Sequence, residues 1–425
     1  MRLTRIKQSL NKNSKELVDS LYLMLLQGIN QMLPILVMPY LMIKLGATGY
    51  GYIGFALSVI QYLVIIVDFG FNLSATKRIA VAADNKEQLS RVFWNVVAAK
   101  TLLALFTTLL LLMLTLTVPT FQTYSKAIYA TLPMLVGSAF TFMWFFQGIG
   151  KIRMFSIVNT ISKLALLPLI FLYVKSPDDY VLAAFLQAVV FVSTAVISNI
   201  YILYKRLTGW VKPSWAGVKE ELRISFPLFL SSASTSVYTQ LIVIVLGFYC
   251  TTKMVGKYSS AERIMRAVCF LIYTPLSQVF FPKISALSVK VGGEAKRLFR
   301  QVRGIILVVM TMVCIGIAVG GQWVSLFLGA DYDGIDTYLY IFAFAPFFIG
   351  IGGIYGQMGL IALGNEFTNK RFRDVYFAAA LVAVVLMAAL IPTCQAVGAC
   401  LVVVATEVFV AVMMMYNFKK HLSVC

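Results

Sequence analysis

The chain has 425 residues, of which 60% are hydrophobic and 12% are charged, and its formal net charge is +19 at pH 7. A soluble protein carries about 25% charged residues, so this composition, with long apolar runs along the sequence, excludes a soluble domain and predicts a polytopic α-helical membrane protein. One histidine and six scattered cysteines without a Cys-x-x-Cys pair offer no cluster for a zinc site or a catalytic triad, so we expect no metal, no cofactor and no enzyme activity.

The predicted elements begin with a polar segment at residues 1–17, where five basic residues accompany Leu3, Ile6 and Leu10 at helical spacing. This pattern is typical of a short helix on the inner membrane surface. Twelve spans are then predicted, at 18–44, 52–73, 92–116, 127–148, 155–174, 180–204, 223–247, 256–282, 303–328, 336–363, 374–393 and 396–418. We expect an all-α membrane protein with two pseudo-symmetric lobes of six helices. Its parts are an N-lobe at 18–204, a cytoplasmic loop at 205–222, a C-lobe at 223–418 and a tail at 419–425.

The distribution of basic residues predicts the orientation of the chain. Of the 36 Lys and Arg residues, 27 lie in the N-terminal segment, the tail and alternate loops. The other loops hold only Lys126, Lys175, Lys253 and Lys257. Both termini are therefore predicted to be cytoplasmic. Topology and attraction to anionic membrane lipids explain the net charge, and we expect no nucleic-acid partner.

Two stretches in corresponding positions of the halves share a plan. The first opens at Gly51 and closes on Arg78, and the second opens at Gly256 and closes on Lys283. Each begins with a Gly-x4-Ala element and continues as an apolar run. At about 1.5 Å per residue, each is long enough for one tilted membrane helix. Paired membrane halves are typical of transporters whose substrate site lies between the halves.

Five short motifs occur in order along the chain. They are Gly-Tyr-Ile-Gly-Phe-Ala at 51–56, Asp-Phe-Gly-Phe-Asn-Leu-Ser-Ala-Thr-Lys-Arg at 68–78, Phe-Pro-Leu-Phe at 226–229, Val-Gly-Lys-Tyr-Ser-Ser-Ala-Glu-Arg at 255–263 and Phe-Pro-Lys-Ile-Ser at 281–285. Together with the twelve spans, they resemble the bacterial polysaccharide transporters, the Wzx-like flippases of the MATE-like superfamily. The resemblance covers almost the whole chain.

The resemblance implies a V-shaped cavity between two six-helix lobes, and alternating access in the bacterial inner membrane. It implies as substrate an undecaprenyl-pyrophosphate-linked oligosaccharide of the O-antigen or capsule type. This lipid would move from the cytoplasmic to the periplasmic leaflet, with ion coupling. Polysaccharide polymerase machinery is an implied partner.

Four basic residues within the spans are candidates for binding the pyrophosphate: Lys100, Lys163, Arg263 and Arg266. A charge at mid-membrane costs about 2.5–3.5 kcal/mol on insertion scales, so each needs a partner or a wet cavity. Arginine suits phosphate because its planar fork binds bidentately. We predict an anion site on Arg263 and Arg266 that Lys100 and Lys163 complete from the other lobe. The alternatives are buried ion pairs within a lobe and, for Arg263, pairing with Asp68 or a carbonyl group.

Three acidic residues within the spans are candidates for ion coupling or for charge pairs. Glu262 precedes Arg266 by one helical turn, which is a favourable pairing. Asp68 lies nine residues before Lys77, and Glu407 is predicted to lie mid-span, where it either pairs with a lysine or carries a proton. Aromatic residues near span ends are predicted to form interfacial belts: Tyr50, Tyr52, Trp144, Trp323 and Tyr332.

Two other functions compete with the flippase. A multidrug or cation antiporter of the same superfamily should have an acidic cavity, whereas the predicted spans hold five basic residues against four acidic ones. A membrane glycosyltransferase, polymerase or ligase usually needs a large external loop or an external acid cluster, and the longest external loops here are about ten residues. The sequence therefore favours the flippase.

Overall fold

A computed structural model describes the backbone of residues 2–288 and 293–422, and the side chains of 28–421 in these ranges except at positions 29, 31 and 167. The described chain is helical. The N-terminal half comprises α1 (Arg2–Asp68), α2 (Phe71–Val81), α3 (Lys86–Thr117), α4 (Pro119–Thr123), α5 (Ser125–Phe140), α6 (Met143–Gly148), α7 (Ile152–Tyr173) and α8 (Tyr180–Tyr204). The C-terminal half comprises α9 (Trp215–Ser236), α10 (Ile242–Tyr249), α11 (Thr252–Ser288), α12 (Glu294–Leu328), α13 (Ile335–Phe342), α14 (Ala345–Gly352) and α15 (Glu366–Leu422).

Ten helical segments in the described ranges are long and apolar enough to cross a membrane. Two of them, Met32–Val81 and Glu366–His421, are 50 and 56 residues long, whereas one span needs about 20. The first is interrupted at Gly46 (φ 64°, ψ 178°) and the second at Gln395 (φ 50°, ψ −129°). Each is therefore a hairpin of two spans, and the count agrees with the twelve predicted spans.

Several predicted boundaries differ from the structure. The span predicted at 52–73 ends at Asp68, because Phe69 and Gly70 adopt left-handed conformations (φ 41° and 78°) and start a separate helix, α2. The spans predicted at 127–148 and 336–363 are each broken into shorter helices, and the second ends in a π-helix, Gly353–Ile361. Hydropathy locates apolar runs but carries no information about such breaks in the backbone.

The segment predicted as a loop at 205–222 becomes helical at Trp215, because the side chain of Ser214 accepts a hydrogen bond from the Gly217 amide at 3.1 Å and caps α9. Before this cap, the connection is bound to α3. The Gly209 amide donates to Ser90 Oγ at 2.8 Å, and the Ser214 amide donates to Asn95 Oδ1 at 3.1 Å. The connection is therefore attached to the N-terminal half. Residues 2–17 of the predicted surface helix are the first part of α1, and the side chains of this segment lie outside the described residues.

The two ends of the helix bundle differ in charge. We call the end that carries Asp178, Asp179, Asp331 and Asp333 the acidic face, and the end that carries Arg78, Arg153, Lys219 and Arg297 the basic face. One apolar cluster lies mainly in the N-terminal half, around Phe93 and Trp144, and another lies in the C-terminal half, around Ile306 and Met310. A third, larger cluster includes Tyr50 and Tyr258 and joins the two halves.

At the acidic face the halves meet backbone to backbone, where α1 crosses α11. A methyl carbon placed on Gly256 would lie 2.9 Å from the Gly51 amide nitrogen and would overlap the Ala47 carbonyl oxygen. A methyl carbon on Gly51 would overlap the Thr252 carbonyl oxygen. Only glycine permits this approach. The Gly-x4-Ala elements found in the sequence therefore mark the place where the halves cross.

Toward the basic face the halves touch where α2 packs against α9. The hydroxyl oxygens of Ser74 and Ser225 lie 2.6 Å apart, and Phe69 stacks on Phe229 with ring centroids 4.5 Å apart. Arg78 Nη1 also lies 3.0 Å from Glu220 Oε1. Away from the Gly51–Gly256 crossing, α1 and α11 are separated by a cavity.

Candidate functional site

A cavity of about 690 Å³ lies between the two halves. Its walls come from α1, α5, α7 and α8 on one side, and from α10, α11 and the π-helical segment Val237–Leu241 on the other. Leucine, isoleucine, valine and methionine form much of the lining. The charged lining residues within the described chain are Lys163, Glu262, Arg263 and Arg266, and the hydroxyl and carboxamide residues are Tyr50, Ser58, Gln61, Gln187, Thr239, Gln240 and Ser259.

A second cavity joins the first and runs between α1 and α11. The two cavities share Pro34, Ile35, Arg266, Ala267 and Phe270. The second continues along α11 to Pro275 and Gln278. Arg266 therefore stands where the central cavity meets a passage through the side of the molecule.

Arg263 is held by the opposite half. Its Nη1 donates a hydrogen bond to the hydroxyl of Tyr50 at 3.1 Å, and its guanidinium carbon lies 5.5 Å from the centroid of the Tyr50 ring. Tyr50 is only 1% exposed. The prediction that Tyr50, Trp144 and Tyr332 form an interfacial belt is wrong, because all three side chains are buried. Their span ends face other helices instead of lipid.

Arg266 is held within its own half. Its Nε donates to Glu262 Oε1 at 2.9 Å, which is the one-turn pair that the sequence spacing predicts. Glu407 on α15 is also buried, and the negative charge of its carboxylate attracts the same guanidinium. Nη2 of Arg266 is buried without a hydrogen-bond partner among the described residues. Such a group is costly unless a ligand or water satisfies it.

Lys163 and Lys100 lie at similar predicted depth but in different surroundings. Lys163 lines the cavity, and its Nζ donates to the carbonyl oxygen of Asn30 at 3.1 Å. Lys100 is 1% exposed, and its Nζ lies 2.9 Å from both Asp68 Oδ1 and the carbonyl oxygen of Ser138. Lys100 and Asp68 thus form an ion pair inside the N-terminal half, in which the lysine is buried and the Asp68 side chain is partly exposed. Lys100 does not line the cavity, and Asp68 is not the partner of Arg263.

Sequence reasoning did not single out the carboxamides of the cavity. Gln240 Nε2 donates to Gln61 Oε1 at 2.9 Å, so these side chains join the two halves. Gln187 lines the same cavity from α8. These glutamines could have been found in the sequence as uncharged amide side chains inside apolar spans, because polar groups at such positions face other helices or water. No group of three or more His, Cys, Asp or Glu side chains in the described ranges is placed to hold a metal ion.

The chain matches known proteins over most of its length. Residues 17–288 match the family described as "Polysaccharide biosynthesis protein". A relative from Escherichia coli strain K12 named "Putative O-antigen transporter" is 31% identical, over 95% of this chain and 97% of the relative. A Shigella dysenteriae relative of the same name is 28% identical, over 94% of this chain and 99% of the relative.

Solved structures show the same fold. The lipid II flippase MurJ in an inward closed conformation superposes with a TM-score of 0.73 at 14% identity, over 94% of this chain and 87% of that one. An inward-facing multidrug MATE transporter of the MOP superfamily gives 0.69 at 17% identity, over 92% and 93% of the two chains. The chain thus belongs to the polysaccharide biosynthesis protein family, and it has the fold of the MATE-like transporters.

Proposed function

We propose that this protein is a flippase that moves an undecaprenyl-pyrophosphate-linked oligosaccharide of the O-antigen or capsule type from the cytoplasmic to the periplasmic leaflet. Its family and the names of its relatives support this function. The observation that carries the proposal is the charge of the cavity. Of the four charged side chains lining it among the described residues, three are basic and one is acidic.

The pyrophosphate site is proposed at Arg263 and Arg266, with Lys163 opposite. Glu262 already pairs with Arg266, so the positive charges of Arg263 and Lys163 remain to meet an anion. The unpartnered Nη2 of Arg266 supplies a donor at the same wall. Charge-assisted bonds from guanidinium groups to phosphate are among the stronger hydrogen bonds in proteins. Lys100 is not part of this site, because it forms an ion pair with Asp68 and does not line the cavity.

The passage between α1 and α11 suits a lipid-linked substrate. Met32, Pro34, Ile35, Phe270, Leu271 and Pro275 are among its lining residues. A polyprenyl chain can remain in such surroundings while the charged head group occupies the central cavity, because the apolar chain then never enters water. Arg266, shared by both cavities, would lie at the junction between chain and pyrophosphate.

Alternating access is proposed to occur by rocking of two lobes, 18–204 and 223–418. We place the protein in the bacterial inner membrane with its basic face and both termini in the cytoplasm, as the distribution of basic residues favours. The cavity is closed by the Gly51–Gly256 crossing at the acidic face. Rocking would open that crossing and close the passage between α1 and α11.

Ion coupling is proposed at Glu407. Asp68 and Glu262 each form an ion pair, with Lys100 and Arg266 respectively, at nitrogen–oxygen distances of 2.9 Å. No hydrogen bond to Glu407 is found among the described residues. Protonation of Glu407 would change the charge beside Arg266 and so the strength of the anion site. Polysaccharide polymerase machinery is the proposed partner at the periplasmic side, where the product emerges.

The multidrug antiporter is the competing function, and the cavity does not favour it. Among the described lining residues, a cationic drug would meet the basic Lys163, Arg263 and Arg266 and one acidic residue, Glu262. Like charges repel each other, and the repulsion is stronger in a cavity with a largely apolar lining than in bulk water.

Binding of undecaprenyl pyrophosphate to purified protein in nanodiscs tests the anion site. Arg263→Gln should abolish binding and flipping while the protein level in the membrane is unchanged, and Arg263→Lys should keep part of both, because it retains charge and loses the planar fork. Arg297→Gln, on the basic face outside the cavity, is the matched control. The anion site is refuted if Arg263→Gln and Arg266→Gln, singly and together, bind and flip at wild-type levels.

Deleting the gene in its host tests the substrate directly. Lipid-linked oligosaccharide should accumulate in the cytoplasmic leaflet, and mass spectrometry of the extracted lipid identifies the glycan. Accumulation of no such lipid, together with new sensitivity to cationic drugs, would favour the antiporter instead.

A further inference from the structure

Three glutamines line the cavity near the cations, and the proposed anion site gives them no role. Gln61 lies on α1, Gln187 on α8 and Gln240 in the π-helical segment Val237–Leu241. Gln240 Nε2 donates to Gln61 Oε1 at 2.9 Å, across the boundary between the halves. Gln187 Nε2 donates to the Ala183 carbonyl oxygen, one turn earlier in its own helix, at 3.1 Å.

The three side chains have unused hydrogen-bonding capacity. A carboxamide has two N–H donors and an oxygen that accepts two hydrogen bonds. Within the described part of the chain, each of these glutamines makes one side-chain hydrogen bond. The remaining donors and acceptors lie at the wall of a cavity whose other lining is mostly apolar. Polar groups in such surroundings require a ligand or water.

Further uncharged groups lie on the same walls. Thr239 precedes Gln240 in the π-helical segment, and Ser259 faces the cavity from α11. The Ser259 hydroxyl is buried without a hydrogen-bond partner among the described residues. Short π-helical segments occur frequently at functional sites. The cavity therefore combines a cationic wall with a set of neutral donors and acceptors.

We propose that Gln61, Gln187 and Gln240 form a subsite for the neutral sugar residues of the lipid-linked oligosaccharide, holding their hydroxyl and acetamido groups. This rests on the proposed flippase function and assigns the part of the cavity that recognises the glycan. Each carboxamide donates and accepts at once, as sugar hydroxyl and acetamido groups do. Because it carries no charge, it does not compete with the pyrophosphate for the arginines.

The Gln61–Gln240 bond gives the subsite a second property. A sugar that bonds to both carboxamides replaces a contact between the halves with contacts to the ligand. Glycan binding and separation of the halves are then linked, since each favours loss of the same bond. A lipid without its sugar would occupy the anion site and leave this bond in place.

Two lipids distinguish the subsite from the anion site. We would measure the affinity of wild-type protein in nanodiscs for undecaprenyl pyrophosphate and for undecaprenyl-pyrophosphoryl-N-acetylglucosamine. Wild type should bind the glycosylated lipid more tightly. The double variant Gln61→Met and Gln240→Met keeps the side-chain length, and it should lose about tenfold in affinity for the glycosylated lipid alone. Gln322→Met, at an exposed position of α12, is the matched control.

The outcomes separate the two proposals. If wild type binds both lipids equally, or if the double variant keeps the wild-type preference, the sugar subsite is overturned. If the double variant loses affinity for both lipids equally, the glutamines maintain the structure of the cavity but do not bind the sugar, and the proposal is again overturned. If wild type binds neither lipid, the flippase function itself fails. An unchanged melting temperature and a monodisperse elution profile confirm that the variant is folded.

Discussion

Arg263 donates a hydrogen bond to Tyr50 at 3.1 Å, so one arginine of the cavity is held by a residue of the opposite half. Arg266 is held by Glu262 on its own helix. Separation of the halves at the acidic face would remove the partner of Arg263 and leave that of Arg266 in place. The two arginines should therefore differ in how strongly they respond to the conformation of the protein.

Tyr50→Phe tests this difference, because it removes the hydroxyl and keeps the ring over the guanidinium. A hydrogen bond to a charged group contributes about 1.5–3 kcal/mol. Its loss should move the equilibrium toward the state open at the acidic face by about tenfold or more. The measurement is the labelling rate of a cysteine placed at Ser259, with an impermeant maleimide added from the acidic-face side. Tyr249→Phe, at an exposed ring, serves for comparison, and equal rates in both variants would contradict the prediction.

Gly256→Ala should prevent full closure of the acidic face. The added methyl group would overlap the Ala47 carbonyl oxygen, and backbone cannot move aside as a flexible side chain can. We expect loss of flipping and faster labelling at position 259. Gly316→Ala places the same group on α12, where it would meet no atom within 4 Å apart from the adjacent residues and backbone of its own helix, and it should be neutral or stabilising by up to about 1 kcal/mol. Wild-type transport by Gly256→Ala would show that the crossing need not close.

Lys100→Met should affect stability more than binding. The substitution leaves Asp68 without its cation, and removing one partner of a buried ion pair costs about 3–5 kcal/mol of stability. The loss of stability should lie at the low end of this range, because the Asp68 side chain is 30% exposed. The melting temperature should fall, while the folded fraction binds undecaprenyl pyrophosphate normally. Arg263→Gln should show the reverse pattern. If folded Lys100→Met did not bind undecaprenyl pyrophosphate, the prediction would be wrong and Lys100 would belong to the anion site.

Reporter fusions test the orientation. Fusions after residues 80, 215 and 368 should report a cytoplasmic location, and fusions after 121, 177 and 333 a periplasmic one. The physical reason is the retention of basic loops in the cytoplasm. A periplasmic signal after residue 215 would contradict both the orientation and the division into six spans on each side.

Much of the fold could be predicted from the sequence, because an apolar run in a bilayer has few structural solutions. The spans and the pairing of Glu262 with Arg266 follow from local patterns, and the repeated Gly-x4-Ala elements single out Gly51 and Gly256, although not the contact between their backbones. The break at Gln395 does not, since glutamine is not a typical helix breaker, and a single glycine at position 70 inside an apolar run does not by itself predict a break. Tertiary packing decides those conformations.

The candidate site was less predictable, because rotation of each helix about its axis decides what a side chain meets. Lys100 and Lys163 lie at similar depth, yet one meets Asp68 and the other faces the cavity. Tyr50 lies near a span end, as a belt residue would, but that end is buried between the halves. Gln61 and Gln240 belong together only because α1 and the segment before α10 approach each other in the fold.

The Gly51–Gly256 crossing has a consequence for the energy supply of the cell. A pathway wide enough for a sugar head group would also pass protons and small ions if it were open at both ends. At this crossing the barrier is main chain against main chain, so no change of side-chain rotamer can make a gap in it. A methyl group at Gly256 should therefore do more than abolish flipping. Cells that express Gly256→Ala should lose membrane potential even when no glycan is made.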